Sequence, residues 1–131
     1  VRLTSVRLLV DDFEACHDFY ARILGFTPRF GGGDGPYEEF DAHGGVVALF
    51  TRPLMAEAVD TVPRKVSAGA CGDAAVLTLE VDDVDATALR LAGQGVTFVS
   101  EPRDQPLWRL RVAHFRDPCG NLIEINAPLR P

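Results

Sequence analysis

The sequence predicts an α+β protein built from two tandem β-α-β-β-β modules. Three observations predict it. The chain repeats itself: Val10-Asp11-Asp12 in one half returns as Val81-Asp82-Asp83 in the other, and Ala15 returns as Ala86. In each half an alternating apolar segment meets that aspartate pair and then a helical pattern ending at glycine, Gly25 in the first copy and Gly95 in the second. Strand-like segments separated by turn residues follow each helix. Recurrence of strand, cap, helix and three strands in the same order is the signature of a duplicated supersecondary unit.

The elements follow in order. In the first strand Val6, Leu8 and Val10 share one face, leaving Ser5, Arg7 and Leu9 on the other, because successive strand residues point to opposite sides. Asp11 and Asp12 are suited to cap a helix and to sit at its positive end. That helix gathers Cys16, Phe19, Tyr20, Ile23 and Leu24 on one side. Strands are expected at residues 27–30, 37–41 and 46–50, the last sending Val47 and Leu49 under the helix and Val46, Ala48 and Phe50 away from it. The glycine-rich residues 31–35 lie between strands. A phosphate cradle needs a helix N-terminus after the loop, so this is a hairpin tip. Residues 54–59 suit a short helix in the connection.

The second module repeats the plan. Leu77, Leu79 and Val81 go under its helix, leaving Val76, Thr78 and Glu80 opposite. Val84, Ala88, Leu91 and Ala92 form the buried helix face. Strands are expected at residues 96–100, 107–115 and 122–126, with Ala113, Phe115, Ile123 and Ile125 under the helix. Between the last two, Asp117-Pro118 and Gly120-Asn121 have tight-turn chemistry. The chain of 131 residues is then a single domain, with module one at 1–52, a connection at 53–74 and module two at 75–128.

Composition narrows the function. The net charge of −6 argues against nucleic acid or an anionic membrane as the main partner, since both require a basic surface. No apolar run approaches the ~20 residues of a membrane span, and no charged segment followed by an apolar one suggests export. Cys16, Cys71 and Cys119 are odd in number and lack metal-type spacing, which fits reduced thiols in a cytoplasmic protein.

The sheet face away from the helices carries Ser5, Arg7, Ala48, Phe50, Val76, Thr78, Trp108, Leu110, Val112, His114, Glu124 and Asn126. Apolar and aromatic residues with a few polar groups are the usual lining of a small-molecule pocket; burial against a second subunit is the alternative. Glu124 stands out, because a carboxylate in an apolar strand is costly unless it binds a metal, pairs, or looks into a wet pocket. His114 points to the same face on the neighbouring strand. The two form either an acid/base pair or a hydrogen-bonded pair that satisfies two buried polar groups. Trp108 and Phe50 either stack on a flat ligand or pack. His17 and His43 are expected at the solvated surface.

The segments LLVDDFEACHDFYARILGF, LTLEVDDVDA and WRLRVAHFRDPCGNLIEI resemble the vicinal oxygen chelate superfamily, which includes glyoxalase I, extradiol dioxygenases, fosfomycin-resistance enzymes and bleomycin-binding proteins. The third is the most specific, although Cys119 stands where the family usually has an acid and Arg109 where it often has glycine. The resemblance implies a curled mixed sheet around a cleft, commonly within a homodimer. It also implies four metal-ligand positions, which map by spacing onto Ser5, Ala48, Val76 and Glu124. Only Glu124 is a strong ligand, and three good donors on one face are needed. The chain therefore most resembles members without a metal site, and no cofactor is expected. The function expected is metal-free binding of a small aromatic or hydrophobic molecule, as in antibiotic sequestration. The alternative is a lyase, isomerase or dioxygenase-like enzyme using His114 and Glu124, with or without a divalent metal.

Overall fold

The computed structural model describes residues 1–62 and 73–130. Cys71 and the middle of the expected connection lie outside the described residues. The chain divides into two compact units, Val1–Ser67 and Ala68–Pro131, and each contains one four-stranded mixed sheet. In module one the strands are β1 (Val6–Val10), β2 (Thr27–Pro28), β3 (Tyr37–Asp41) and β4 (Val46–Thr51), in the order β1-β4-β3-β2. In module two they are β5 (Val76–Glu80), β6 (Phe98–Gln105), β7 (Leu110–Arg116) and β8 (Leu122–Pro128), in the order β5-β8-β7-β6. Each first strand runs parallel to the last strand of its own module, and the remaining pairs are antiparallel. The duplication read from the sequence is thus a duplication of topology.

The helices begin alike. In α1 (Phe13–Asp18) the Asp12 Oδ1 accepts the Ala15 N–H at 3.1 Å; in α3 (Val84–Gly93) the Asp83 Oδ1 accepts the Ala86 N–H at 2.9 Å. Each cap satisfies one of the orphan donors that every helix start leaves. The helices end differently. From Phe19 to Ile23 the first one widens into a π-type turn, in which the Leu24 N–H reaches the Phe19 carbonyl, before Gly25 stops it at φ +75°. The physical cause is length: thirteen residue steps separate Asp12 from Gly25, against twelve from Asp83 to Gly95. The wider turn absorbs the additional residue and keeps the same start and stop. Between the modules' helices lies α2 (Arg52–Ala58), which begins two residues before the short helix expected there.

Two cores result. In module one Val10, Cys16, Phe19, Tyr20, Phe40 and Leu49 are buried, with the Tyr20 ring against Phe26 and Phe40. In module two Val84, Ala88 and Leu91 cover Ala113, Phe115, Ile123 and Ile125. Ala92, expected on the buried face, is exposed, and Val6, expected under the first helix, is 44% exposed because it opens β1 at the sheet's end. Fully burying one such aliphatic or aromatic side chain stabilises by about 1.5–3 kcal/mol, and only the alternation found here sends these residues to one side.

Three expectations are corrected. The seventh strand starts at Leu110, because Pro106–Arg109 form a turn with Arg109 at φ +58°, so Trp108 is on an exposed turn and not on the strand face. The strand expected at residues 96–100 runs instead from Phe98 to Gln105, with irregular register on either side of Ser100. His17 is not solvated: its side chain is 12% exposed and its Nε2 lies 3.0 Å from Oε1 of the fully buried Glu38. The other Glu38 oxygen accepts the backbone N–H groups of Phe30 and Glu39. His43 is exposed in the β3–β4 turn, as expected.

Candidate functional site

The module-two site is made by strand register. His114 of β7 lies directly opposite Glu124 of β8, and Thr78 of β5 lies opposite Glu124 on its other side. Residues directly opposite share a face, so Val76, Thr78, Val112, His114, Glu124 and Asn126 all belong to the face that α3 does not cover. The turn joining β7 to β8 fixes that register. Asp117 is 4% exposed; its Oδ1 accepts the N–H groups of Cys119 and Asn121, each at 2.9 Å, and its Oδ2 accepts Asn121 Nδ2 at 2.7 Å. Gly120 follows at φ +91°, a conformation natural to glycine.

Glu124 is 8% exposed and both its oxygens are engaged. Oε2 lies 2.8 Å from His114 Nε2, and Oε1 accepts Asn126 Nδ2 at 2.9 Å. An ionised carboxylate only accepts, so His114 Nε2 carries the proton, and in the neutral ring Nδ1 is left as an acceptor. Among the described residues nothing donates to that Nδ1. A half-buried imidazole with one nitrogen held by a carboxylate and the other available can position a ligand or exchange a proton with one.

The module-one site uses the matching face. Arg7 of β1 is opposite Ala48 of β4, which is opposite Glu39 of β3; Phe50 is opposite both Leu9 and Tyr37. Ser5 precedes the strand and is half-buried. The Arg7 guanidinium carbon sits 5.3 Å from the centroid of Tyr37 and 5.5 Å from that of Phe50, within range of cation–π attraction. Tyr37 donates its hydroxyl to Glu39 Oε1 at 2.7 Å, and Arg29 donates to Glu39 Oε2 at 3.1 Å. The bond to Glu39, and after it burial, raises the Tyr37 phenol above its ordinary value; the same bond, with help from Arg29, holds Glu39 below its own. Tyr37, Glu39 and Arg29 are absent from the sequence-derived set. Their signal was available, since Phe40 is plainly a core residue and Tyr37 and Glu39 have the opposite parity.

The family's metal positions do not fit a metal here. Ala48 and Val76 carry no donor atom, and both oxygens of Glu124 are hydrogen-bonded within module two. Among the described residues no three His, Cys, Asp or Glu side chains gather closely enough to hold an ion. Trp108, 55% exposed on its turn, is separate from the strand face. A groove of about 570 Å³ runs along α3 and β6 beside Leu89, Ala92, Phe98 and Glu101, on the side of the sheet away from His114 and Glu124. Its lining is mainly aliphatic, and its Asp85 carboxylate is taken by Arg111, so it lacks the convergent polar groups of the strand faces.

Duplicated β-α-β-β-β modules, each with one helix-covered sheet face and one polar and aromatic face, define the class of scaffold to which this chain belongs. The model of the Glyoxalase/Bleomycin resistance protein/Dioxygenase superfamily matches residues 2–125, and the chain belongs to that superfamily. It is 38% identical over 125 residues to the uncharacterised protein YraH of Bacillus subtilis (strain 168), covering 95% of this chain and 97% of YraH. A crystal structure of a glyoxalase/bleomycin resistance protein/dioxygenase from Nocardioides is similar with a TM-score of 0.80 and 28% identity, over 99% of this chain and 85% of the other. A superfamily member from Sphaerobacter thermophilus DSM 20745 is similar with a TM-score of 0.72 and 28% identity, over 96% of both. Among the described residues no helix is long and apolar enough to cross a membrane.

Proposed function

We propose that this chain binds a small aromatic or hydrophobic molecule without using a metal, on the sheet faces that carry Arg7, Phe50, Val76, His114 and Asn126. The observation that carries the reading is the state of Glu124. The one strong ligand left at the family's metal positions already has a hydrogen-bond partner on each oxygen, while Ala48 and Val76 offer none. Sequestration of an aromatic antibiotic by a cytoplasmic homodimer is the role we assign to such a protein. The test is a thermal-shift screen of aromatic compounds, paired with metal analysis of protein purified without chelator. Stabilisation by an arene at metal contents far below stoichiometric supports the reading; near-stoichiometric divalent metal overturns it. Sedimentation velocity tests the homodimer.

A second reading has its own observation. The 2.8 Å contact between His114 Nε2 and Glu124 Oε2, with Nδ1 available, is an orientation that acid/base catalysis uses. Glu124→Gln separates the two: an enzyme loses turnover by roughly two orders of magnitude or more, whereas a sequestering protein keeps its ligand affinity.

A further inference from the structure

We propose that the Arg7 guanidinium is a carboxylate-binding subsite, so that the ligand is an aromatic acid. The inference rests on the reading of the module-one sheet face as a binding surface and names the ligand class for it.

Arg7, Arg29 and Glu39 place two cations beside one carboxylate. That carboxylate is committed, one oxygen to the Tyr37 hydroxyl and the other to Arg29. Asp41, at the far end of β3, is exposed and accepts the His43 N–H. Among the described residues Arg7 forms no ion pair with a carboxylate; its polar neighbours are the Met55 sulfur at 4.0 Å and the Tyr37 hydroxyl, whose own proton is given to Glu39. By contrast Arg22, Arg29, Arg52, Arg111 and Arg116 are each paired with an acid.

The guanidinium, without an acid partner among the described residues, is also held in place. It lies over Tyr37 and Phe50 at 5.3 and 5.5 Å. Those rings meet edge to face at 5.9 Å, and Tyr37 is fixed again by Glu39 and by the Phe30 ring at 6.1 Å. A guanidinium that is pre-oriented and exposed loses little freedom on receiving a planar anion, and its fork matches a carboxylate with two parallel hydrogen bonds. Phe50, half-buried, and Phe30, 65% exposed, supply aromatic surface on the same cluster. Charge and rings together select an arene bearing a carboxylate.

The experiment compares 2-naphthoate with the isosteric neutral 2-naphthamide by titration calorimetry on the full chain. It uses the wild type, Arg7→Met, which keeps apolar length over the rings, and Arg7→Lys, with circular dichroism to confirm the fold of each. The expected result is naphthoate bound roughly tenfold or more tighter than naphthamide by wild type. The preference should be absent in Arg7→Met and partly kept in Arg7→Lys, with naphthoate affinity falling further than naphthamide affinity in each variant. Equal binding of both probes to wild type, or a preference that survives Arg7→Met, overturns the carboxylate subsite and leaves the binding reading standing. Failure of both probes to bind at millimolar concentration overturns both.

Discussion

Replacing Asp117 by alanine should destabilise the protein by about 3–5 kcal/mol. The perturbation removes one acceptor group that serves the Cys119 and Asn121 backbone N–H groups and the Asn121 side chain, at 2.9, 2.9 and 2.7 Å. Hydrogen bonds to a charged acceptor contribute about 1.5–3 kcal/mol each, so three bound the loss at about 4.5–9 kcal/mol. Water entering the emptied site and non-additivity within one network reduce it to about 3–5 kcal/mol. For a chain of this size that is a fall in Tm of about 10–20 °C. Asp117→Asn should cost only about 1–2 kcal/mol, because its carbonyl oxygen still accepts both backbone N–H groups and the Asn121 amide can turn over to accept from the new amide. Urea titration followed by far-ultraviolet circular dichroism at pH 7 measures both. A loss below about 1 kcal/mol for the alanine variant, or equal losses for alanine and asparagine, would refute the view that this side chain holds the turn and through it the pairing of His114 with Glu124.

Glu38→Ala should cost about 3–5 kcal/mol, as expected when one partner of a buried pair is removed, because it strands the His17 ring and two backbone N–H groups; the same urea titration reads it. A double-mutant cycle of His114→Ala and Glu124→Ala should show a coupling of about 1–3 kcal/mol, and additive losses would mean that the 2.8 Å contact is energetically silent. Tyr37 should ionise above the ordinary tyrosine value, so its stabilising effect is complete below about pH 10 and fades as pH rises through its folded value. Ultraviolet titration at the phenolate band should follow this, with Glu39→Gln moving the transition down. Gly35→Ala should destabilise by about 1–2 kcal/mol from backbone strain alone, with φ at +79° and a new methyl 3.1 Å from the Phe13 ring, while Gly32→Ala, facing open space, should be near neutral in thermal melts.

Much of the fold was legible because it was written twice. The capping aspartates, the alternation in β5 and β8, and the turn at Asp117 each rest on local chemistry that one segment reveals. His114 and Glu124 could be placed side by side because a tight turn fixes their register. Trp108 was misplaced because Arg109 takes a left-handed conformation without being glycine, and composition does not signal that. His17 was misread because a histidine among helix polar residues resembles a solvated one until its partner is known. That partner, Glu38, shares the parity of Phe40, so the clue lay in β3, whose faces had not been assigned.

The widened turn at Phe19–Ile23 also records how the two halves came to differ. Each residue of an α-helix advances about 100° around the axis, so one additional residue in a regular helix would have swung Gly25 and everything after it around by that angle. The π-type turn takes up the insertion locally instead. It follows that removing a single residue there, such as Ala21, should leave a continuous α-helix with the spacing of its twin in the second half. A correct alignment of the halves therefore has its gap inside the helix and not in a loop.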